Sequence, residues 1–76
     1  MDNYAVSVVG RYDGGWESIT AIEDGVSLAE AKRAVDAFLG AADKLMGDYY
    51  HELEIVLWDD SIGEPIDVRR AYRNQP

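Results

Sequence analysis

Residues 27–46 read SLAEAKRAVDAFLGAADKLM, and this stretch decides the fold because it predicts one amphipathic helix. Ser27 and Glu30 have the spacing of a capping box, in which the two side chains satisfy free backbone amides at a helix start. Apolar residues then recur at three- and four-residue steps, and Gly47 follows as a residue that ends helices. We therefore expect a helix over about 28–46 with one apolar face.

The residues before this helix predict a β-hairpin. Residues 4–12 (YAVSVVGRY) and 16–23 (WESITAIE) are rich in β-branched and aromatic side chains. Between them lie Asp and two glycines, at 13–15, which are typical turn residues. A three-residue loop at this point would place Val9 opposite Ile19.

The residues after the helix predict a second hairpin. Residues 49–58 (YYHELEIVLW) and 65–73 (PIDVRRAYR) have the composition of strands and are separated by a polar loop. Pairing Trp58 with Pro65 places the proline at the first position of its strand, where its missing N–H does least harm. In this register the last strand contributes two residues to the helix-facing core, Ile66 and Val68.

The expected fold class is α+β, with a single ββαββ domain over residues 1–76. Its four-stranded antiparallel sheet would carry the one helix on one face. The other face would remain uncovered, with Tyr50 and four further apolar residues on it, so it is a candidate interface for a homodimer or another partner. Those four residues are Val9, Ile19, Val56 and Trp58.

Charge is distributed unevenly along the chain. Residues 1–68 contain 4 basic and all 15 acidic residues, a formal charge of −11, whereas the last eight residues carry a charge of +3. In the predicted hairpin Arg69 lies opposite Glu54, and Arg73 lies opposite Tyr50. The basic tail is therefore expected to neutralise the acids of its own hairpin, which leaves the negative charge elsewhere uncompensated.

Catalytic and cofactor chemistry is not indicated. The chain has no cysteine and one histidine, His51, which the predicted register places opposite Tyr72. It has no phosphate-binding or nucleophile motif and no EF-hand spacing of acids. We expect a protein that is not an enzyme and holds no cofactor or metal; a small enzyme that uses His51 is the least favoured alternative.

The acidic surface instead indicates a basic protein partner. Direct nucleic-acid binding is disfavoured because its affinity comes from lysine and arginine, and an anionic surface is also repelled by anionic membranes. Interface hot spots favour aromatic residues beside charge. The expected partner-binding residues are two aromatic and seven acidic ones: Tyr12, Trp16, Asp13, Glu17, Glu23, Asp24, Glu30, Asp36 and Asp43. Residues 1–4 lack the basic and apolar segments of a signal peptide, so we expect a cytoplasmic location.

In size, acidity and lack of cysteine, the chain resembles the small acidic proteins that phages and mobile elements use against host defences. These include anti-CRISPR and anti-restriction proteins that mimic DNA. The resemblance covers the whole chain, depends on no motif, and does not extend to the basic tail. It implies an inhibitor that occupies a basic, nucleic-acid-binding surface in the host cytoplasm. The alternative is a non-catalytic accessory module that oligomerises through the uncovered sheet face.

Overall fold

Four strands and two short helices make up residues 2–73, the part of the chain that the computed structural model describes. The elements are β1 (Tyr4–Tyr12), β2 (Gly15–Val26), α1 (Leu28–Gly40), α2 (Ala42–Met46), β3 (Glu52–Asp59) and β4 (Glu64–Tyr72). The strands form one antiparallel sheet in the order β2-β1-β3-β4. The predicted α+β class and ββαββ order are confirmed.

The core lies between the two central strands and the helices. Its buried side chains come from β1, β3, α1 and α2, and they are Val6, Val8, Ala31, Val35, Ala42, Met46, Leu53, Ile55 and Leu57. Leu53 and Val8 have no exposed surface. Because α1 packs mainly on β1 and β3, the outer strand β4 has little helix cover.

The start of α1 has the predicted cap. The Ser27 hydroxyl accepts a hydrogen bond from the Glu30 backbone amide at 3.2 Å and donates one to the Glu30 carboxylate at 3.0 Å. The Ser27 side chain therefore satisfies an amide that has no partner inside the helix, whereas the Glu30 carboxylate accepts from the Ser27 hydroxyl instead of a backbone amide.

The helix is divided at Ala41, where a continuous helix over 28–46 was predicted. Ala41 has φ −103° and ψ 11°, outside the helical range, and its amide donates to two carbonyls of the preceding turn. The chain then resumes as the five-residue α2, which ends at Gly47 as predicted. Gly47 has a positive φ of 52°, a conformation that glycine adopts without strain.

Replacing Gly40 with alanine should stabilise the protein. Gly40 is the exposed last residue of α1, and a Cβ atom built there meets nothing within 4 Å. Alanine is favoured over glycine in helices by about 0.5–1 kcal/mol, which raises Tm by roughly 2–8 °C in a domain of this size. Thermal unfolding followed by circular dichroism measures this shift, and a lower Tm for Gly40→Ala would contradict it.

A β-bulge at Ile66 changes the face of the last strand. Trp58 lies opposite Pro65 as predicted, but Leu57 lies opposite Asp67. Ile66 therefore has no partner on β3 and is an extra residue in β4. One extra residue sends every later side chain to the other face of the sheet. The predicted core positions of Ile66 and Val68 are therefore wrong, and these side chains are 47% and 37% exposed.

The first hairpin has a similar irregularity at Ile19. Its turn contains two residues, at 13–14, rather than the predicted three, so Val9 lies opposite Ser18 and not opposite Ile19. Ile19 is an extra residue between Ser18 and Thr20. At residues 20–22 of β2 the two strands have the predicted register. Ile19 packs against the core, so its predicted place on the uncovered face is wrong.

Strand β3 begins at Glu52, three residues later than predicted. The amides of Tyr49 and Tyr50 both donate to the carbonyl of Met46, so the chain turns after α2 instead of entering the sheet. Tyr50 consequently packs against the core on the helix side and does not lie on the outer face opposite Arg73.

Candidate functional site

Aromatic and acidic side chains meet at one end of the sheet, where the β1–β2 turn lies beside the loop before β3. We call this end the tip and define it by seven residues: Tyr12, Asp13, Trp16, Glu17, Tyr49, Tyr50 and His51. Four of them, at 12, 13, 16 and 17, belong to the predicted partner-binding set, and the last three are outside that set.

Three tyrosine rings form a continuous aromatic cluster in the tip. Tyr12 and Tyr49 are stacked, with ring centroids 5.4 Å apart and an interplanar angle of 13°. Tyr49 and Tyr50 meet edge to face at 4.9 Å and 83°. Both geometries are favoured by aromatic quadrupoles, so the cluster holds the loop before β3 against the first hairpin. Tyr49 remains 56% exposed.

Two polar contacts join the same segments. The Tyr50 hydroxyl donates to Glu17 Oε1 at 2.8 Å, and His51 Nε2 lies 2.7 Å from Asp13 Oδ1. The Asp13 side chain is 96% exposed, whereas that of His51 is 34% exposed. The carboxylates of Asp13 and Glu17 are therefore fixed in position while staying accessible to a partner.

His51 has a structural environment in the tip. Its amide donates to the carbonyl of Arg11 at 2.7 Å, and the residue opposite Tyr72 is Glu52 rather than the predicted His51. Within residues 2–73, the imidazole hydrogen bonds to Asp13 and to no hydroxyl side chain. General-base catalysis needs a substrate proton within reach of the base as well as an orienting group, and Asp13 is the orienting group that lies beside His51.

The hydroxyls of Tyr49 and Tyr50 resist ionisation. The hydrogen bond to Glu17 raises the pKa of Tyr50 above its ordinary value of 10.0, and desolvation adds to the shift. Desolvation raises the pKa of Tyr49 as well, followed by the negative charge of Glu17. A phenolate would have to form beside a carboxylate, and this repulsion favours the neutral form.

The raised pKa of Tyr50 predicts a pH dependence. The hydrogen bond from Tyr50 to Glu17 stabilises the fold fully below pH 10.0, the ordinary pKa of tyrosine in the unfolded chain. This stabilisation is lost as the pH rises through the higher pKa that Tyr50 has in the folded protein. Glu17→Gln removes the negative charge of this carboxylate, and it should bring the Tyr50 pKa back toward its ordinary value. Spectrophotometric titration of tyrosinate measures this, with Tyr50→Phe to assign the signal; identical curves for wild type and Glu17→Gln would contradict it.

Basic side chains neutralise acidic side chains on the uncovered face of the sheet. Arg11 Nε lies 3.1 Å from Glu52 Oε1, and Arg70 lies 3.2 Å from Glu54 and 3.9 Å from Glu52. The expected pairing of the tail with its own hairpin is thus present, with Arg70 opposite Glu54 where Arg69 was predicted. The bulge in β4 accounts for the change, and it places Arg69 beside Asp67 at 3.1 Å.

Most acids outside these pairs have no basic partner among residues 2–73. Among residues 2–73, salt bridges of 4.0 Å or less involve four acidic residues: Asp13, Glu52, Glu54 and Asp67. Six of the seven acids in the predicted partner-binding set therefore have no ion pair with described residues: Glu17, Glu23, Asp24, Glu30, Asp36 and Asp43. These six are exposed, so their charges face solvent.

The predicted acids do not form one patch. Asp13 and Glu17 lie in the tip, whereas Glu23 and Asp24 lie toward the other end of β2. The remaining three lie on the helices, where Glu30 is part of the cap of α1. The fold extends over 43 × 23 × 17 Å, so these groups present separate acidic surfaces along an elongated body.

The apolar residues that were expected on the uncovered sheet face are partly covered. Val56 is 6% exposed, and the Trp58 indole donates its N–H to the Ser7 hydroxyl at 2.9 Å. Trp58 and Ser7 also line an open groove of about 300 Å³. Val9 shares this face, half-buried and opposite Glu54. The role of this face as an interface stays a prediction.

Residues 2–73 contain neither a metal-binding cluster nor a membrane-spanning helix. No group of three or more histidine, cysteine, aspartate or glutamate side chains within residues 2–73 is arranged to hold a metal ion. No helix in that range is long and apolar enough to cross a membrane.

No protein-family model matches the sequence, and no curated protein or solved structure is significantly similar to it.

Proposed function

We propose that this protein is a non-catalytic inhibitor that binds a basic, nucleic-acid-binding surface of another protein and excludes DNA or RNA from it. The tip is the main contact, and the other acidic surfaces add long-range attraction. The partner belongs to a defence or nucleic-acid-processing complex. The protein acts on it in the manner of the DNA-mimic proteins that it resembles in acidity and size. The observation that carries the proposal is the meeting of exposed aromatic rings and exposed carboxylates at the tip.

The chemistry of the tip suits arginine and lysine side chains. Trp16 and Tyr49 are 48% and 56% exposed, so both rings present faces on which a guanidinium group can stack. Asp13 and Glu17 place carboxylates near the Tyr49 ring, and charge-assisted hydrogen bonds to carboxylates are among the strongest in proteins. A groove that uses arginine to hold phosphates offers the groups that this arrangement binds.

The charge of the whole body supports the same partner class. A duplex of 43 Å, the longest extent of the fold, carries about 25 phosphate charges, compared with 15 acidic residues in this chain. The protein therefore replaces part of a bound duplex through a few carboxylates. Its net charge of −8 steers it toward a positive groove and away from nucleic acid itself.

A pull-down from the native host at low and high salt tests this proposal. The tip variant Asp13→Asn/Glu17→Gln removes two charges without changing side-chain shape. The control Asp60→Asn/Glu64→Gln makes the same change at the opposite end of the sheet, where both residues are exposed. We expect wild type and control to retain a nucleic-acid-binding protein that the tip variant loses.

Salt should weaken the complex strongly. Exposed charge pairs are screened by ions, so affinity for the captured protein should fall roughly tenfold or more between about 50 and 200 mM salt. An affinity that is flat over this range, or equal loss of binding in the tip and control variants, would contradict the proposal.

A further inference from the structure

The outer strand β4 (Glu64–Tyr72) carries an exposed apolar stripe at the edge of the sheet. The order β2-β1-β3-β4 leaves one side of β4 without a neighbouring strand. Three of the six exposed large hydrophobic side chains in residues 2–73 lie on it: Ile66, Val68 and Tyr72, at 47%, 37% and 62% exposure. An exposed edge strand with apolar side chains is a template for pairing with another strand.

We infer that β4 pairs antiparallel with β4 of a second copy, so that two protomers form one continuous eight-stranded sheet. This interface is separate from the tip and does not depend on the proposed function. The partner strand comes from a second copy because the charged residues of β4 complement those of an identical strand that runs in the opposite direction.

Symmetry restricts the possible registers. A two-fold axis that pairs two edge strands antiparallel runs perpendicular to the sheet, so each residue meets a residue of the same face. With the axis at Val68, Asp67 of each copy lies opposite Arg69 of the other, and the two Val68 side chains meet at the centre. Within one protomer Arg69 Nε lies 3.1 Å from Asp67 Oδ2, so the two side chains already lie on one face.

Neighbouring registers are opposed by charge. Moving the axis to Asp67 or to Arg69 places two like charges directly opposite each other, which destabilises a strand pair. The other edge strand, β2, carries Glu17, Glu23 and Asp24 and no basic residue, so pairing with its own copy brings acids together. The register centred on Val68 is therefore selected by its charges.

The ends of the pairing are weaker than its centre. Pro65 has no N–H to donate, and the bulge at Ile66 interrupts the regular spacing. Pairing one strand buries an area at the low end for specific interfaces, so the dimer forms in roughly the micromolar to millimolar range. In this dimer both α1 helices lie on one face, and the two tips point in opposite directions.

Charge-swap variants test the register. We expect the average mass of the wild type, measured by sedimentation equilibrium, to rise with concentration from 8.5 kDa toward twice that value. Asp67→Arg and Arg69→Asp should each stay monomeric, because each places like charges across the axis. An equimolar mixture of the two should form a heterodimer, since 67 and 69 are then complementary between the copies.

The mixture also controls for folding, because two misfolded variants would not restore a dimer. Arg33→Asp on the exposed surface of α1 makes the same charge change as Arg69→Asp and should dimerise like the wild type. A wild type that stays monomeric at millimolar concentration would overturn the inference. So would a single variant that dimerises like wild type, or a mixture that stays monomeric.

Discussion

Leu53→Ala should remove a large share of the stability of the fold. Leu53 lies at the centre of the core with no exposed surface, and replacing a buried leucine with alanine costs about 2–5 kcal/mol. At roughly 0.05–0.15 kcal/mol per residue, a 76-residue domain has a total stability of about 4–11 kcal/mol. The substitution therefore removes a large share of the whole stability.

Urea unfolding followed by circular dichroism measures this loss. Ile62→Ala is the matched control, because it removes a branched aliphatic side chain that is 60% exposed, and it should unfold within about 0.5 kcal/mol of wild type. If Leu53→Ala unfolded at the same urea concentration as Ile62→Ala, the placement of the core would be wrong.

Gly10→Ala should disrupt the tip without unfolding the protein. A Cβ at Gly10 would lie 2.6 Å from Tyr50 Cδ1 and 2.8 Å from Ile19 Cδ1, so both side chains have to move. Overpacking of this kind costs about 1–3 kcal/mol. Movement of Tyr50 also breaks its hydrogen bond to Glu17 and its contact with Tyr49, on which the arrangement of the tip depends.

Two measurements identify this mechanism. In Gly10→Ala, tyrosinate titration should show that the Tyr50 pKa falls back toward its ordinary value, and urea unfolding should show lower stability. Gly40→Ala makes the same chemical change where the new Cβ meets nothing, and it should leave the titration unchanged. A Gly10→Ala protein with the titration curve and stability of wild type would contradict the packing of Tyr50 over Gly10.

The helix and the fold class could be predicted because their signals are local. The Ser27–Glu30 cap and the apolar period depend on residues three or four apart, and Gly47 ends α2 through its own backbone. Alternating apolar residues in β1 and β3 likewise identified the buried face, which holds Val8 and Leu53.

The bulges could not be predicted because they depend on pairing across strands. Ile19 and Ile66 are each inserted where two strands adjust to one another, and no local residue pattern distinguishes an inserted isoleucine from a paired one. Each insertion reverses the face of its neighbours, so the core positions of Ile66 and Val68 and the outer position of Ile19 were predicted wrongly.

Four of the seven tip residues could be predicted together, and the other three could not, for the same reason. Tyr12, Asp13, Trp16 and Glu17 are close in sequence and were proposed together as an aromatic and acidic contact. Their neighbours Tyr49, Tyr50 and His51 come from a segment assigned to a strand, and they join the tip because the chain turns after α2. Two adjacent tyrosines at the start of a predicted strand were the available signal.

Competition with nucleic acid tests the proposed function most directly. Fluorescently labelled DNA or RNA is bound to the purified protein that the pull-down captures, and the wild type is then titrated into the complex. Wild type and the Asp60→Asn/Glu64→Gln control should displace the nucleic acid fully, whereas Asp13→Asn/Glu17→Gln should require at least about tenfold more protein, equivalent to about 1.4 kcal/mol. Binding of wild type without displacement, or equal displacement by the tip variant, would contradict the proposal that the tip occupies a nucleic-acid-binding surface.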